Sequence, residues 1–179
     1  MHKEGDALLI QQPVYYPFRE VIEDNGRIFV NNQLHYEDGK YTIDFEDFEK
    51  KIVDNNVKVF ILCNPHNPVG RVWTKEELEK MGDICLKHNV VIMDDEIHCD
   101  FTYPGFKFTS FMTLDEKYHN SLVLYTSPSK TFNVAGLQPA NIIIKNPELR
   151  AAYRKANAAA GYSQGSIMGQ VAVKSVIQR

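Results

Sequence analysis

Val57-Lys58-Val59-Phe60-Ile61-Leu62-Cys63, an apolar run, is followed by an amphipathic stretch at residues 74–88 and a second apolar run, Val90-Val91-Ile92-Met93. Both runs have the length and β-branched content of buried strands. The stretch between them opens on Thr74 with Glu77 three residues later, a pair that caps a helix by reciprocal hydrogen bonds. Strand, helix and strand in that order need a parallel crossover, and a parallel sheet is covered on both faces. The pattern predicts an α/β fold: a three-layer, mostly parallel sheet with helices on both faces.

Outward from this unit the alternation continues. Residues 7–10 read as a short strand, 16–24 as a helix closed by Asn25-Gly26, and 27–30 as a second strand. Asp44 caps a predicted helix reaching Val53, with Glu46, Asp47 and Glu49 at its start and Lys50 and Lys51 at its end. Residues 121–125 and 141–144 add two strands, and residues 147–178 read as mainly helical with a break at 161–165. Trp73 and Phe18 are expected to be core or domain-contact aromatics.

At 179 residues with a net charge of −3 and no Lys/Arg block, the chain offers nothing that would hold nucleic acid or an anionic membrane. No stretch approaches the roughly 20 apolar residues of a membrane span, and the opening Met1-His2-Lys3-Glu4-Gly5-Asp6 lacks the apolar core of a signal peptide. The expectation is a cytoplasmic protein. Cys63, Cys85 and Cys99 are odd in number and lack C-x-x-C spacing, so free thiols are expected.

Ligands of open α/β sheets gather at the carboxyl ends of strands, and polar clusters follow three of the predicted strands. The first is Asn64-Pro65-His66-Asn67-Pro68-Val69-Gly70-Arg71, a turn stiff enough to aim an amide at a ligand, although an ordinary crossover turn has the same composition. Within it His66 either faces a ligand or stays solvated, as loop histidines ordinarily do. The second is Asp94-Asp95-Glu96-Ile97-His98-Cys99-Asp100. Carboxylates crowded at the end of an apolar strand call for a cation, either a protonated pyridine nitrogen or a divalent metal, unless they form a wet acidic edge. The third is Ser127-Pro128-Ser129-Lys130-Thr131-Phe132, with hydroxyls and N–H groups to hold a phosphate. Its lysine can attack an aldehyde once burial or a nearby cation depresses its pKa. Alone, Ser-x-x-Lys is ordinarily a solvated loop. Asn67, Asp95 and Lys130, 28 and 35 residues apart and each closing a different strand, together suggest a pyridoxal phosphate site. A metal-dependent hydrolase built from Asp95, Glu96, His98 and Asp100 is the competing reading, weakened because neighbours along a strand point to opposite faces.

With those residues in view, the chain resembles fold-type I pyridoxal phosphate enzymes of the aminotransferase class I and II superfamily, and within it the MalY/PatB branch of cystathionine β-lyase-like C–S lyases. The resemblance is carried by Pro13-Val14-Tyr15-Tyr16-Pro17-Phe18, by Cys63-Asn64-Pro65-His66-Asn67-Pro68-Val69-Gly70-Arg71-Val72-Trp73, by Asp95-Glu96-Ile97-His98 and by Ser127-Pro128-Ser129-Lys130-Thr131-Phe132-Asn133. It implies pyridoxal 5'-phosphate as cofactor and the large domain of such transferases as fold. Lys130 would form the Schiff base and remove the substrate Cα proton. Asp95 would pair with the pyridinium nitrogen, Asn67 would donate to the ring oxygen, and Tyr15 would stack on the ring. Ser127 and Ser129 would hold the phosphate, and His98 stands where many aminotransferases carry a tyrosine that touches the ring oxygen.

The implied reaction is α,β-elimination from cystathionine, cysteine or a related amino acid to thiol, pyruvate and ammonia. Transamination is the alternative, and a catalytically incompetent or dimerising fragment is another. One departure touches the phosphate site: where aminotransferases commonly place an arginine, eight residues after the lysine, this chain has Gln138. Family members are longer homodimers. By that comparison residues 1–150 correspond to an N-terminally truncated cofactor domain. Residues 151–179 correspond to the start of an interdomain helix leading to a missing small domain, so the chain is expected to be a middle fragment.

Overall fold

β5 (Val59–Cys63) and β6 (Val91–Asp95) lie side by side and parallel, joined by α3 (Lys75–Lys87) as predicted. Thr74 and Glu77 form both hydrogen bonds of the capping box. The computed structural model describes residues 4–162 and 165–177. Around this unit stand β1 (Ala7–Ile10), α1 (Pro17–Asp24), β2 (Ile28–Asn31) and α2 (Phe45–Asp54), the last capped by the Asp44 carboxylate accepting from the Asp47 N–H. β7 (Leu122–Thr126) and β8 (Asn141–Ile143) complete a six-stranded sheet of order β2-β1-β5-β6-β7-β8, parallel except for β8. Two helices follow, α4 (Pro147–Ala159) and α5 (Ile167–Ile177), with the predicted break between them. Residues 163 and 164 of that break, and Gln178 at the predicted end of the helical region, lie outside the described residues.

The strand period of two sorts the core. Leu9, Phe60, Leu62, Ile92, Leu122 and Leu124 pack with Phe48 and Ile52 of α2 and Leu78, Met81 and Cys85 of α3. Leu8, Ile10, Val59 and Cys63 face the other way, under Ile22 of α1. On that same face Leu149 and Tyr153 of α4 close over Val91 and Met93, leaving a cavity of about 280 Å³. Helices therefore cover both faces, the predicted three layers. Trp73 is fully buried with its indole N–H donating to the Cys63 carbonyl (3.0 Å), and Phe18 packs half-buried against the second cluster. No helix among the described residues is long and apolar enough to cross a membrane.

Two features depart from the sequence expectation. A small hairpin of β3 (His35–Glu37) and β4 (Lys40–Thr42) was not foreseen, although Asp38-Gly39 between two short runs is the signal for it. Both turn residues have positive φ, 49° and 77°, as such a two-residue turn requires. β6 also runs two residues past its predicted end, so Asp94 and Asp95 belong to the strand and their side chains point to opposite faces.

Candidate active site

The clusters that follow β5, β6 and β7 leave the sheet at one level. Cys63 pairs with Asp95 and Asp95 with Tyr125, and the ladder continues as the Asn64 N–H donates to the Asp95 carbonyl (3.0 Å) and the Glu96 N–H to the Tyr125 carbonyl (2.9 Å). The chain steps outward from β1 to β2, then returns to β5 on the other side of β1. In open parallel sheets a ligand crevice forms at such a reversal, which here places it at the carboxyl ends of β1 and β5. Tyr15 follows β1 and Asn67 follows β5, so they flank it.

At the centre Asp95, His98 and Lys130 lie within electrostatic reach of one another. Burial pushes the Asp95 carboxyl up, opposed by the Ile97 N–H, which donates to Oδ1 at 3.2 Å, and by His98 and Lys130. The His98 imidazole is pushed down by burial and by Lys130, with Asp95 acting against them. Lys130 itself is exposed. The reason is local: the chain turns off the sheet at once, with the Phe132 N–H donating to the Pro128 carbonyl (3.0 Å) and the Val134 N–H to the Ser129 carbonyl (2.9 Å).

Ser127 and Ser129 sit in this turn and engage each other. The Ser129 N–H donates to Ser127 Oγ (3.0 Å), whose hydroxyl donates to the Pro139 carbonyl. Thr131, absent from the predicted set, ties the lysine turn to the loop after β6 through its hydroxyl on Asp100 (2.6 Å). Gln138 is exposed, in the left-handed region at φ 51°. Asn67 is half-buried. Its N–H donates to Cys63 Sγ (3.4 Å), and among the described residues its side-chain amide has no hydrogen-bond partner. Tyr15 is 43% exposed, with Phe18 packed edge-on at 5.7 Å.

Strand alternation divides the carboxylates. Asp94 and Glu96 are buried away from Asp95. Glu96 accepts the Phe111 N–H at 2.8 Å. Burial and the Glu96 charge hold the Asp94 carboxyl well above the usual range. The two carboxyls lie near each other inside the protein, and among the described residues neither oxygen of Asp94 has a hydrogen-bond partner. This corrects both the wet acidic edge and the metal reading: among the described residues no three His, Cys, Asp or Glu side chains converge on a metal position.

His66 is the second correction. It is 2% exposed, its Nε2 lies 3.0 Å from the Pro13 carbonyl, and its ring meets Trp73 edge-on at 5.3 Å. Burial pushes its pKa down to about 4 despite the Pro13, Gln11 and Cys63 carbonyls around it. Nothing local in the sequence announces this, because the burial comes from a loop more than fifty residues away.

The model of the family described as aminotransferase class I and II matches residues 1–179. Cystathionine β-lyase PatB of Bacillus subtilis is 48% identical over 149 residues, covering 83% of this chain and 38% of that protein. A probable kynurenine–oxoglutarate transaminase of Saccharomyces cerevisiae is 31% identical over 181 residues, covering 96% of this chain and 40% of that one. Among solved structures, cystalysin from Treponema denticola, which contains a pyridoxal 5'-phosphate cofactor, superposes with a TM-score of 0.90 at 44% identity over 93% of this chain and 42% of that one. The chain thus spans about two fifths of the length of these relatives. By sequence and by fold, it belongs to the aminotransferase class I and II family.

Proposed function

We propose that this chain is the cofactor-bearing part of a pyridoxal 5'-phosphate-dependent C–S β-lyase. Residues 1–150 would form its cofactor domain, residues 151–179 would lead on to a second domain, and the working form would be a homodimer. The observation that carries the reading is the meeting of Lys130, Asp95 and His98 at the ends of adjacent strands. The donor set fits the cofactor: an exposed amine, a half-buried carboxylate whose burial calls for a cation, and an unpartnered amide on Asn67.

When bound, the cofactor supplies an aldehyde that captures amines and a ring that accepts the electron pair left at the adjacent carbon. The protein's part is positioning and proton transfer. Asp95 would hold a proton on the ring nitrogen, Asn67 would donate to the ring oxygen with His98 beside it, and Tyr15 would stack on the ring. Ser127, Ser129 and the N–H groups of their turn would hold the phosphate, the Ser127 hydroxyl turning to it from the Pro139 carbonyl. With Gln138 where an arginine would stand, backbone dipoles carry more of that charge. Lys130 would hold the cofactor through its aldehyde until the amino group of the substrate takes its place, and its freed amine would then take the Cα proton. Lys130 or water would protonate the sulfur as the Cβ–S bond breaks, the overall change being substrate plus water to thiol, pyruvate and ammonia.

Transamination uses the same groups and differs in where the proton returns. The likeness to the yeast transaminase supports it as the second reading. The lyase is preferred on the higher identity to PatB. The direct test of the cofactor reading is to incubate the chain with pyridoxal 5'-phosphate, remove the excess and record the visible spectrum. A band that borohydride bleaches is expected, and Lys130→Ala should abolish it. No band in the wild-type chain, or an equal band in the variant, would end the proposal.

A further inference from the structure

The crevice has two banks that come from distant parts of the chain. One is residues 11–16, which carry Tyr15. The other is residues 64–71, which carry Asn67. Each bank is fastened to its own surroundings. Gln12 is held by Asn31 Oδ1 on its N–H (2.9 Å) and by the Leu34 N–H on its carbonyl (2.8 Å). The second bank closes on itself through the His66 N–H to the Arg71 carbonyl (2.7 Å) and the Gly70 N–H to the His66 carbonyl (2.8 Å). Among the described residues His66 is the side chain that joins the two banks: its Nε2 lies 3.0 Å from the Pro13 carbonyl, and the Gln11 carbonyl of the same bank also faces the ring.

A carbonyl only accepts, so His66 must carry its proton on Nε2. Among the described residues Nδ1 is buried without a hydrogen-bond partner, which leaves it as the unprotonated nitrogen of a neutral ring. Trp73 sets the ring's tilt through the edge contact, and its own indole N–H is fixed on the Cys63 carbonyl at 3.0 Å. The ring is thus held from its own side by the Trp73 stack while it reaches across to Pro13, two residues from Tyr15 and one from Asn67 along the respective chains.

We propose that His66 is a positioning residue: its imidazole straps the Tyr15 loop to the Asn67 loop and so sets the width of the crevice between them. The inference rests on the reading of that crevice as the cofactor site. The strap itself is a property of the chain alone, and its test separates the two. Gln places an amide N–H close to the Nε2 position, Asn places it near Nδ1, and Phe keeps the ring volume without a donor. Hydrogen exchange of the chain without cofactor should show residues 12–16 and 66–71 loosening together in His66→Phe and His66→Asn, by about tenfold in rate, with His66→Gln close to wild type. Binding of pyridoxal 5'-phosphate, followed by its visible circular dichroism, should weaken about tenfold in the same two variants and recover in His66→Gln. Should His66→Phe fail to fold, the contrast between Gln and Asn still decides. Equal behaviour of those two variants, or unchanged exchange in residues 12–16 of His66→Asn, overturns the strap. A wild-type chain that takes up no pyridoxal phosphate defeats the cofactor reading instead, and the exchange measurement then judges the strap by itself.

Discussion

Asp94 and Asp95 are neighbours in the chain and opposites in chemistry. The pleat sends Asp94 under the α2 and α3 layer, where full burial and the nearby Glu96 charge push its carboxyl well above the usual range. It sends Asp95 toward His98 and Lys130, whose charges favour its ionised form. His66 shows the same force acting on a base, since burial holds it neutral down to about 4. A depressed histidine pKa means that the unfolded chain binds the proton first, so stability is present above the ordinary value of 6.5 and is lost as pH falls from there toward 4. Asp94 and Glu96 act with the opposite sign, because their raised values favour the folded state as acid is added. The His66 contribution is isolated by comparing variants. Between pH 7 and 4, urea unfolding of the wild type should lose on the order of 3 kcal/mol more than His66→Phe. Parallel pH profiles would contradict the neutral buried imidazole.

Among the elements, α3 is the most heavily secured. Glu77 accepts the Thr74 N–H (2.8 Å) as part of the cap and also takes Arg71 on both carboxylate oxygens (2.7 and 2.8 Å), while Arg71 lies over Trp73 at 4.6 Å. One helix start thus anchors the end of the Asn67 loop. Further along, Gly82 admits the ring of Tyr118: a Cβ there would come within 2.6 Å of Cε1, and the ring is held by its hydroxyl on Asp83 (2.8 Å) and by Phe111 at 5.5 Å. Gly82→Ala gains about 1 kcal/mol of helix propensity but overpacks a fixed ring, and a net loss of about 1–2 kcal/mol in urea unfolding is expected. Unchanged stability would show that Tyr118 can move. The capping box and the Asp44 cap were legible because capping is a short-range matter of residue type and spacing. The need for glycine at 82 was not, since the ring that fills the space arrives from Tyr118 in the chain segment leading to β7.

Across the whole molecule, the parallel sheet and its helical layers were readable from the period of the apolar residues, and the candidate site from polar clusters at strand ends. Asn67, Asp95 and Lys130 could be nominated because a parallel sheet brings the ends of adjacent strands together. Less legible were the depth of each side chain and the partner it finds: His66 was open to solvent in one reading and is buried, and Asp94 and Glu96, part of a wet acidic edge in another, are buried too. Those outcomes depend on loops that meet only after folding. The choice between lyase and transaminase belongs to this scale too, because the same inner groups serve both reactions. Pyruvate release from cystathionine without any keto-acid acceptor is expected, assayed on this chain or on a longer protein that carries it. A strict requirement for the acceptor would assign it to the transaminases.

The chain has a single tryptophan, and Trp73 lies fully buried beneath the Asn67 loop. Excited at the red edge, where the nine tyrosines do not absorb, its fluorescence therefore reports one environment, with no second indole to average it. Emission is expected to be blue-shifted from that of an indole in water and to be quenched by energy transfer as pyridoxal phosphate enters, so that a titration read at this one residue would follow occupancy without any label. Emission that stays constant while the visible cofactor band grows would mean that the cofactor binds elsewhere.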